Sequence, residues 1–160
     1  MREFFRPIIK NIYKVLMIIT YRPKIVGREN LPQDTAAIIC PNHVHALDST
    51  VIISMNKRPI KTLAKEELFR NRFFRFIANV FGIYPVKPKD GAIKLAIKAN
   101  VPIVPVGVQG DFKPFRKIKI NIGKPIYYSK YKEEINNREV LEQLTENLMK
   151  NIVKLRDENI

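Results

Sequence analysis

Reactive residues are scarce in this 160-residue chain, which holds one cysteine and two histidines. A lone thiol, Cys40, excludes an intramolecular disulfide and any disulfide scaffold, and it fits a reducing compartment. His43 and His45 stand two positions apart, and the ligand spacings of a structural zinc site are missing, so no metal centre is expected. No apolar run reaches the roughly 20 residues that a membrane-spanning helix requires. There is no internal repeat, no low-complexity tract and no Gly/Ser linker, so nothing divides the chain and its length predicts one domain. Acid is also short, with 15 Asp+Glu against 29 Lys+Arg for a formal charge of +14. The hydrophobic fraction of 46% and charged fraction of 28% describe an ordinary interior, which excludes wholesale disorder and a polytopic membrane protein. A field of that sign leaves nucleic acid, anionic lipid headgroups or phosphorylated small substrates as partners.

The N-terminal stretch reads as an amphipathic helix, with Pro7 at its first helical position and Pro23 beyond its end. Phe4, Phe5, Ile8, Ile12, Val15, Leu16 and Ile19 recur at helical spacing, while Arg2, Arg6, Lys10 and Lys14 supply cations suited to a headgroup layer. Residues 1–22 are therefore expected to form a membrane-associating segment, the alternative being an ordinary helix packed on the domain. No small-residue pattern follows that would mark a cleaved signal peptide. From Lys24 onward β-branched apolar runs alternate with helical patterns, which predicts an α/β domain over 23–160. A mainly parallel or mixed sheet flanked by helices is expected, with strands at 24–27, 36–40, 60–64, 103–108 and 117–122. Helices are expected at 49–55, 66–81, 91–99 and 138–157.

The most informative stretch runs from Ile38 to Thr50. A buried strand ends at Cys40, whose place in an apolar run makes it a packed thiol, and a Pro41-Asn42 turn leads to Asp48-Ser49-Thr50 at a helix start. The polar residues thus fall at the carboxyl end of a strand, where α/β folds place ligands. His43 and Asp48 are five positions apart. On one straight helix they would point roughly 140° apart, so they can meet only across a strand-to-helix turn. A carboxylate on one ring nitrogen fixes the tautomer and leaves the other nitrogen free as a general base. The duller account has Asp48 capping the helix and His43 in a loop.

Asn42-His43, four residues and Asp48 resemble the signature of the glycerolipid acyltransferases. Further segments agree in order: Val26-Gly27-Arg28-Glu29-Asn30-Leu31-Pro32, Ala64-Lys65-Glu66-Glu67-Leu68-Phe69, Gly82-Ile83-Tyr84-Pro85-Val86, Lys89-Asp90-Gly91-Ala92, Val101-Pro102-Ile103-Val104-Pro105-Val106 and Ile122-Gly123-Lys124-Pro125-Ile126. The resemblance covers most of the chain from Lys24 to about Tyr127. It implies acyl transfer from an acyl thioester, acyl-CoA or acyl carrier protein, to the free hydroxyl of a lysophospholipid, by family default 1-acyl-sn-glycerol-3-phosphate. His43 would be the base and Asp48 its orienting partner, while Asn42, Ser49, Lys87 and Pro102 would serve as substrate-binding positions. His45 occupies a variable position of the motif. No cofactor is implied beyond the acyl donor.

The pattern breaks between Val86 and Lys89. The family continues from its proline-valine segment to a basic residue, a helix and a strand ending in Phe-Pro-Glu-Gly-Thr-Arg, and no Glu-Gly-Thr-Arg occurs here. Those residues are taken to bind the acceptor phosphate. Pro88 replaces the expected arginine and leaves Lys87 as the nearest cation, a weaker partner for a phosphate than a bidentate guanidinium. The shortening near 87–89 is expected to remove a strand from the sheet's interior. An alternative reading is a non-catalytic or incomplete family member that binds anionic membranes. The interleaved Phe69-Arg70-Asn71-Arg72-Phe73-Phe74-Arg75-Phe76 suits single-stranded nucleic acid by composition. Helical spacing instead places Phe69, Phe73, Phe76, Ile77 and Val80 on one buried or bilayer-facing stripe, so no nucleic-acid partner is expected. The basic run from Lys113 to Lys119 suits anionic lipid or the phosphates of coenzyme A. The expected location is peripheral, on the cytoplasmic face of the cell membrane.

Overall fold

The computed structural model describes residues 2–42, 60–86, 91–111, 113 and 115–158. His43, His45, Asp48, Ser49 and Lys87, the helix expected over 49–55 and the junction near 87–89 lie outside the described residues.

A four-stranded mixed sheet has the order β1-β6-β5-β2, built from β1 (Lys24–Val26), β2 (Ile38–Pro41), β5 (Ile103–Gln109) and β6 (Lys119–Ile122). β1 is parallel to β6 and β2 to β5, while β5 and β6 are antiparallel. The apolar run of β5 is buried on both faces, as an interior strand requires. Val104, Val106 and Val108 pack with Met17 and Tyr21 of helix α1 (Arg2–Tyr21). Ile103 turns the other way, towards Ile93 and Ile97 of α3 (Ala92–Ala99) and Leu144, Leu148 and Ile152 of α4 (Arg138–Asp157). Period-two alternation along one strand thus serves two cores in a helix–sheet–helix sandwich.

The helix ends follow local capping chemistry. Asn137 accepts from the amides of Glu139 and Val140 at 3.1 and 3.3 Å and starts α4 at the expected residue. Asn100 closes α3 in the left-handed conformation at φ 52°. The helix expected over 66–81 is interrupted. Glu66–Arg70 is a 3-10 turn, and Asn71 accepts from Phe73 and Phe74 amides at 2.8 and 3.2 Å to begin α2 (Arg72–Phe81) anew. α1 starts at Arg2, so Pro7 lies inside it rather than at its first position, and the bond an amide there would make is lost.

Among the described residues the strands fall into two sheets. β3 (Thr62–Lys65) and β4 (Ile83–Val86), a strand the sequence reading missed, pair in parallel as a separate ladder with α2 as their crossover. Among the described residues no strand joins them to β2, so β2 pairs only with β5. No helix of the described residues is long and apolar enough to cross a membrane.

The end of α4 is seated on the sheet by a side chain and an absence. Asn121 Nδ2 donates to the Leu155 carbonyl at 2.6 Å, and a Cβ on Gly107 would collide with the backbone of Leu155 and Arg156. Gly107→Ala must therefore lift the helix or bend β5. It is expected to cost about 1–3 kcal/mol, the usual range for overpacking, measured as a lowered denaturant midpoint at unchanged slope.

Candidate active site

Strand register determines which residues share the end of the sheet that leads into the motif. β2 and β5 are parallel, so their carboxyl ends coincide. β5 runs antiparallel to β6 with Gln109 opposite Lys119, and Lys119 is in turn opposite Lys24. Asn42, the residue after β2, is buried there. Its backbone N–H donates to the Val106 carbonyl at 3.2 Å. Its side-chain Nδ2 donates to the Val108 carbonyl at 2.9 Å, and its Oδ1 accepts from the Val108 N–H at 2.6 Å. The amide orientation is dictated by Val108, whose N–H can only donate and whose carbonyl can only accept.

This pair of bonds ends the β2–β5 ladder in an unusual way. In a regular parallel ladder the Val108 N–H would bond the main-chain carbonyl of Asn42, and the Val108 carbonyl would take an amide two residues further on. The Asn42 side chain meets both needs itself, so both main-chain groups of Val108 are satisfied. His43 is the next residue.

The other expected site residues fall differently. Pro102 is buried at the amino end of β5, where its carbonyl accepts from Ile38 N–H at 2.9 Å. Four residues separate Ile38 from Asn42, so Pro102 lies roughly 13 Å along the strand from the motif end. There it helps bury the start of β5. Cys40 is half-buried opposite Pro105, and burial pushes its thiol pKa up, so it is protonated at neutral pH. The Tyr128 hydroxyl is pushed up too, first by burial and then by the charges of Cys40 and Tyr131. Since a raised pKa lowers the fraction of reactive thiolate, native Cys40 is expected to react with a thiol-specific disulfide reagent more slowly than the unfolded chain. Equal rates would show that the thiol is neither buried nor shifted.

Sequence order concealed a cluster of cations at this same end. Lys24 opens β1 and Lys119 opens β6 as direct neighbours, with Lys117 just before. The connection to β6 is tied to the end of α1, because Phe115 N–H donates to the Thr20 carbonyl at 2.7 Å and Ile118 N–H to that of Tyr21 at 3.2 Å. Arg22 and Arg116 therefore stand in the same neighbourhood, with Phe115 exposed beside them. Only the pairing of β1 with a strand 95 positions later reveals this grouping.

α1 carries two distinct faces. Taking about 100° per residue, Tyr13, Met17 and Tyr21, which pack on the sheet, lie on the side shared with Lys14. Ile8, Ile12, Val15, Leu16 and Ile19 occupy the opposite side and are exposed, Ile12 and Ile19 each at 59%. The aromatic stripe expected in α2 divides in the same manner. Ile77, Ala78 and Val80 turn inward and Phe69 meets Phe74 edge to face at 5.3 Å, whereas Phe73 and Phe76 project outward beside Arg72 and Arg75.

Comparison with known proteins agrees with this architecture. The acyltransferase family pattern, described simply as "Acyltransferase", matches residues 22–90 and so includes the whole His43–Asp48 window. A 1-acyl-sn-glycerol-3-phosphate acyltransferase of Bacillus subtilis (strain 168) is 26% identical, aligned over 92% of this chain and 94% of its own length. That alignment spans 190 residues, more than the 160 of this chain, so the relative has residues with no counterpart here. A second 1-acyl-sn-glycerol-3-phosphate acyltransferase, from Borreliella burgdorferi, is 31% identical over 61% of this chain and 44% of its own length. The crystal structure of the 1-acyl-sn-glycerophosphate (LPA) acyltransferase PlsC from Thermotoga maritima superposes with a TM-score of 0.61 at 16% identity, covering 100% of this chain and 85% of that one, and shows the same fold. The family pattern, the two relatives and the shared fold thus agree with the resemblance of the ordered motifs to the glycerolipid acyltransferases.

Proposed function

We propose that the chain transfers an acyl group from acyl-CoA or acyl carrier protein to the free hydroxyl of 1-acyl-sn-glycerol-3-phosphate. The observation that carries this reading is the motif Asn42-His43, four residues and Asp48, which lies inside the span 22–90 matched by the acyltransferase pattern. His43 takes the proton of the acceptor hydroxyl as that oxygen attacks the thioester carbonyl, and Asp48 orients the ring and stabilises the imidazolium. Collapse of the tetrahedral intermediate breaks the C–S bond, and the imidazolium returns its proton to the leaving thiolate. No serine nucleophile is needed, because the attacking hydroxyl belongs to the substrate. Ser49 and Lys87 are assigned to the acceptor side, Lys87 as the cation nearest the place of the family's phosphate-binding arginine.

The reaction takes place on an anionic membrane surface, with the protein bound peripherally on the cytoplasmic face. Support comes from the exposed apolar side of α1, opposite the side that packs on the domain, and from the cations around its C-terminal end. The second reading, a family member that binds such membranes without turnover, is favoured by the residues of the Bacillus relative that have no counterpart here. An acceptor panel on vesicles separates the two. Lysophosphatidic acid is expected to be acylated and an uncharged monoacylglycerol poorly so, whereas acylation of neither by a vesicle-bound protein would select the non-catalytic reading.

A further inference from the structure

We infer that Asn42 is a positioning residue for the reaction, fixing where the catalytic histidine enters the site, and not a contact for the substrate. The inference rests on His43 being the base, as proposed above. Both polar groups of the Asn42 side chain are occupied by Val108, at 2.6 and 2.9 Å, and the residue is buried. A side chain so engaged has little left to offer a ligand. What it does instead is complete the β5 ladder in place of the main chain, so the strand ends at one defined residue with no unsatisfied group on Val108. His43 is the next residue along the chain from that anchor, and the anchor itself is tied to the sheet's best-buried strand. A base must lie within hydrogen-bond reach of the proton it removes, and supporting hydrogen bonds on rigid elements provide that precision. Asparagine suits the task because it carries a donor and an acceptor on one short arm that matches a backbone peptide group.

The test uses the full chain and two variants. Asn42→Ala deletes both bonds, while the isosteric Asn42→Asp keeps the one from Val108 N–H and sets a carboxylate against the Val108 carbonyl. Both are expected to lower kcat at least about thirtyfold, within the range a general base contributes, with KM for donor and acceptor within about twofold. A lost substrate contact would raise KM instead. A second readout needs no turnover: NMR titration of His43, assigned by comparison with His45→Gln. In Asn42→Ala the titration of His43 is expected to differ from that of the parent, whereas a merely structural substitution elsewhere in the sheet would leave it unmoved. Parent-like kcat with an unmoved His43 titration would overturn the inference, and so would loss of the folded state in both variants, since the role would then be stability. These failures are distinct from that of the proposed reaction, which falls if His43→Ala turns over normally.

Discussion

Alanine in place of His43 is expected to lower turnover by about a hundredfold to ten-thousandfold, the share a general base supplies, while leaving folding and vesicle binding as in the parent. The effect should fall on kcat, because the proton is removed only as the acceptor oxygen attacks. Asp48→Asn is a sharper probe of the pair. An amide can hold a ring nitrogen but cannot stabilise the imidazolium, so most activity should be lost although the side-chain shape is kept. Deleting both residues should cost little more than deleting His43 alone, since groups acting as one unit are not additive. Equal turnover in parent and His43→Ala would remove the mechanism altogether.

Charging the outer side of α1 should have the second largest effect. Ile12 and Ile19 are exposed on the side opposite Met17 and Tyr21, so Ile12→Asp with Ile19→Asp leaves the core contacts of the helix in place. Each large apolar side chain moved out of water contributes about 1.5–3 kcal/mol. Loss of two should weaken partition to anionic vesicles by about two orders of magnitude or more, and the new carboxylates add repulsion from the surface. Co-sedimentation measures it directly. Binding of the parent should also weaken with salt, because the cations around Lys24, Lys117 and Lys119 act through a screened field. Unchanged binding by the double variant would mean that α1 is an ordinary packed helix, the alternative raised by its sequence.

Local signals made part of this fold legible in advance and left the rest hidden. α4 was readable to the residue because Asn137 is a strong cap and Leu144, Leu148 and Ile152 recur at helical spacing. β5 was readable as an unbroken apolar run despite Pro105, whose carbonyl still accepts from Gly123 N–H at 2.9 Å. β4 escaped notice because four residues containing Pro85 make a weak strand pattern. The break before α2 depended on Asn71 choosing to cap rather than continue a helix, a choice that composition does not reveal. Long-range facts were the most concealed. Nothing near Asn42 announces that its side chain will meet Val108, 66 positions away, nor does a proline beside a strand announce which end of the sheet it occupies. His43 and Asp48 were legible as a sequence pattern, whereas the pairing of Asn42 with Val108 was visible only in the fold.

Formation of the diacyl product on anionic vesicles tests the central claim most directly, with lysophosphatidic acid as acceptor and acyl-CoA or acyl carrier protein as donor, for the 160-residue chain beside its His43→Ala variant. The account predicts product with at least one donor, and its disappearance when His43 is replaced. Absence of product from a folded protein that still binds the vesicles would contradict it.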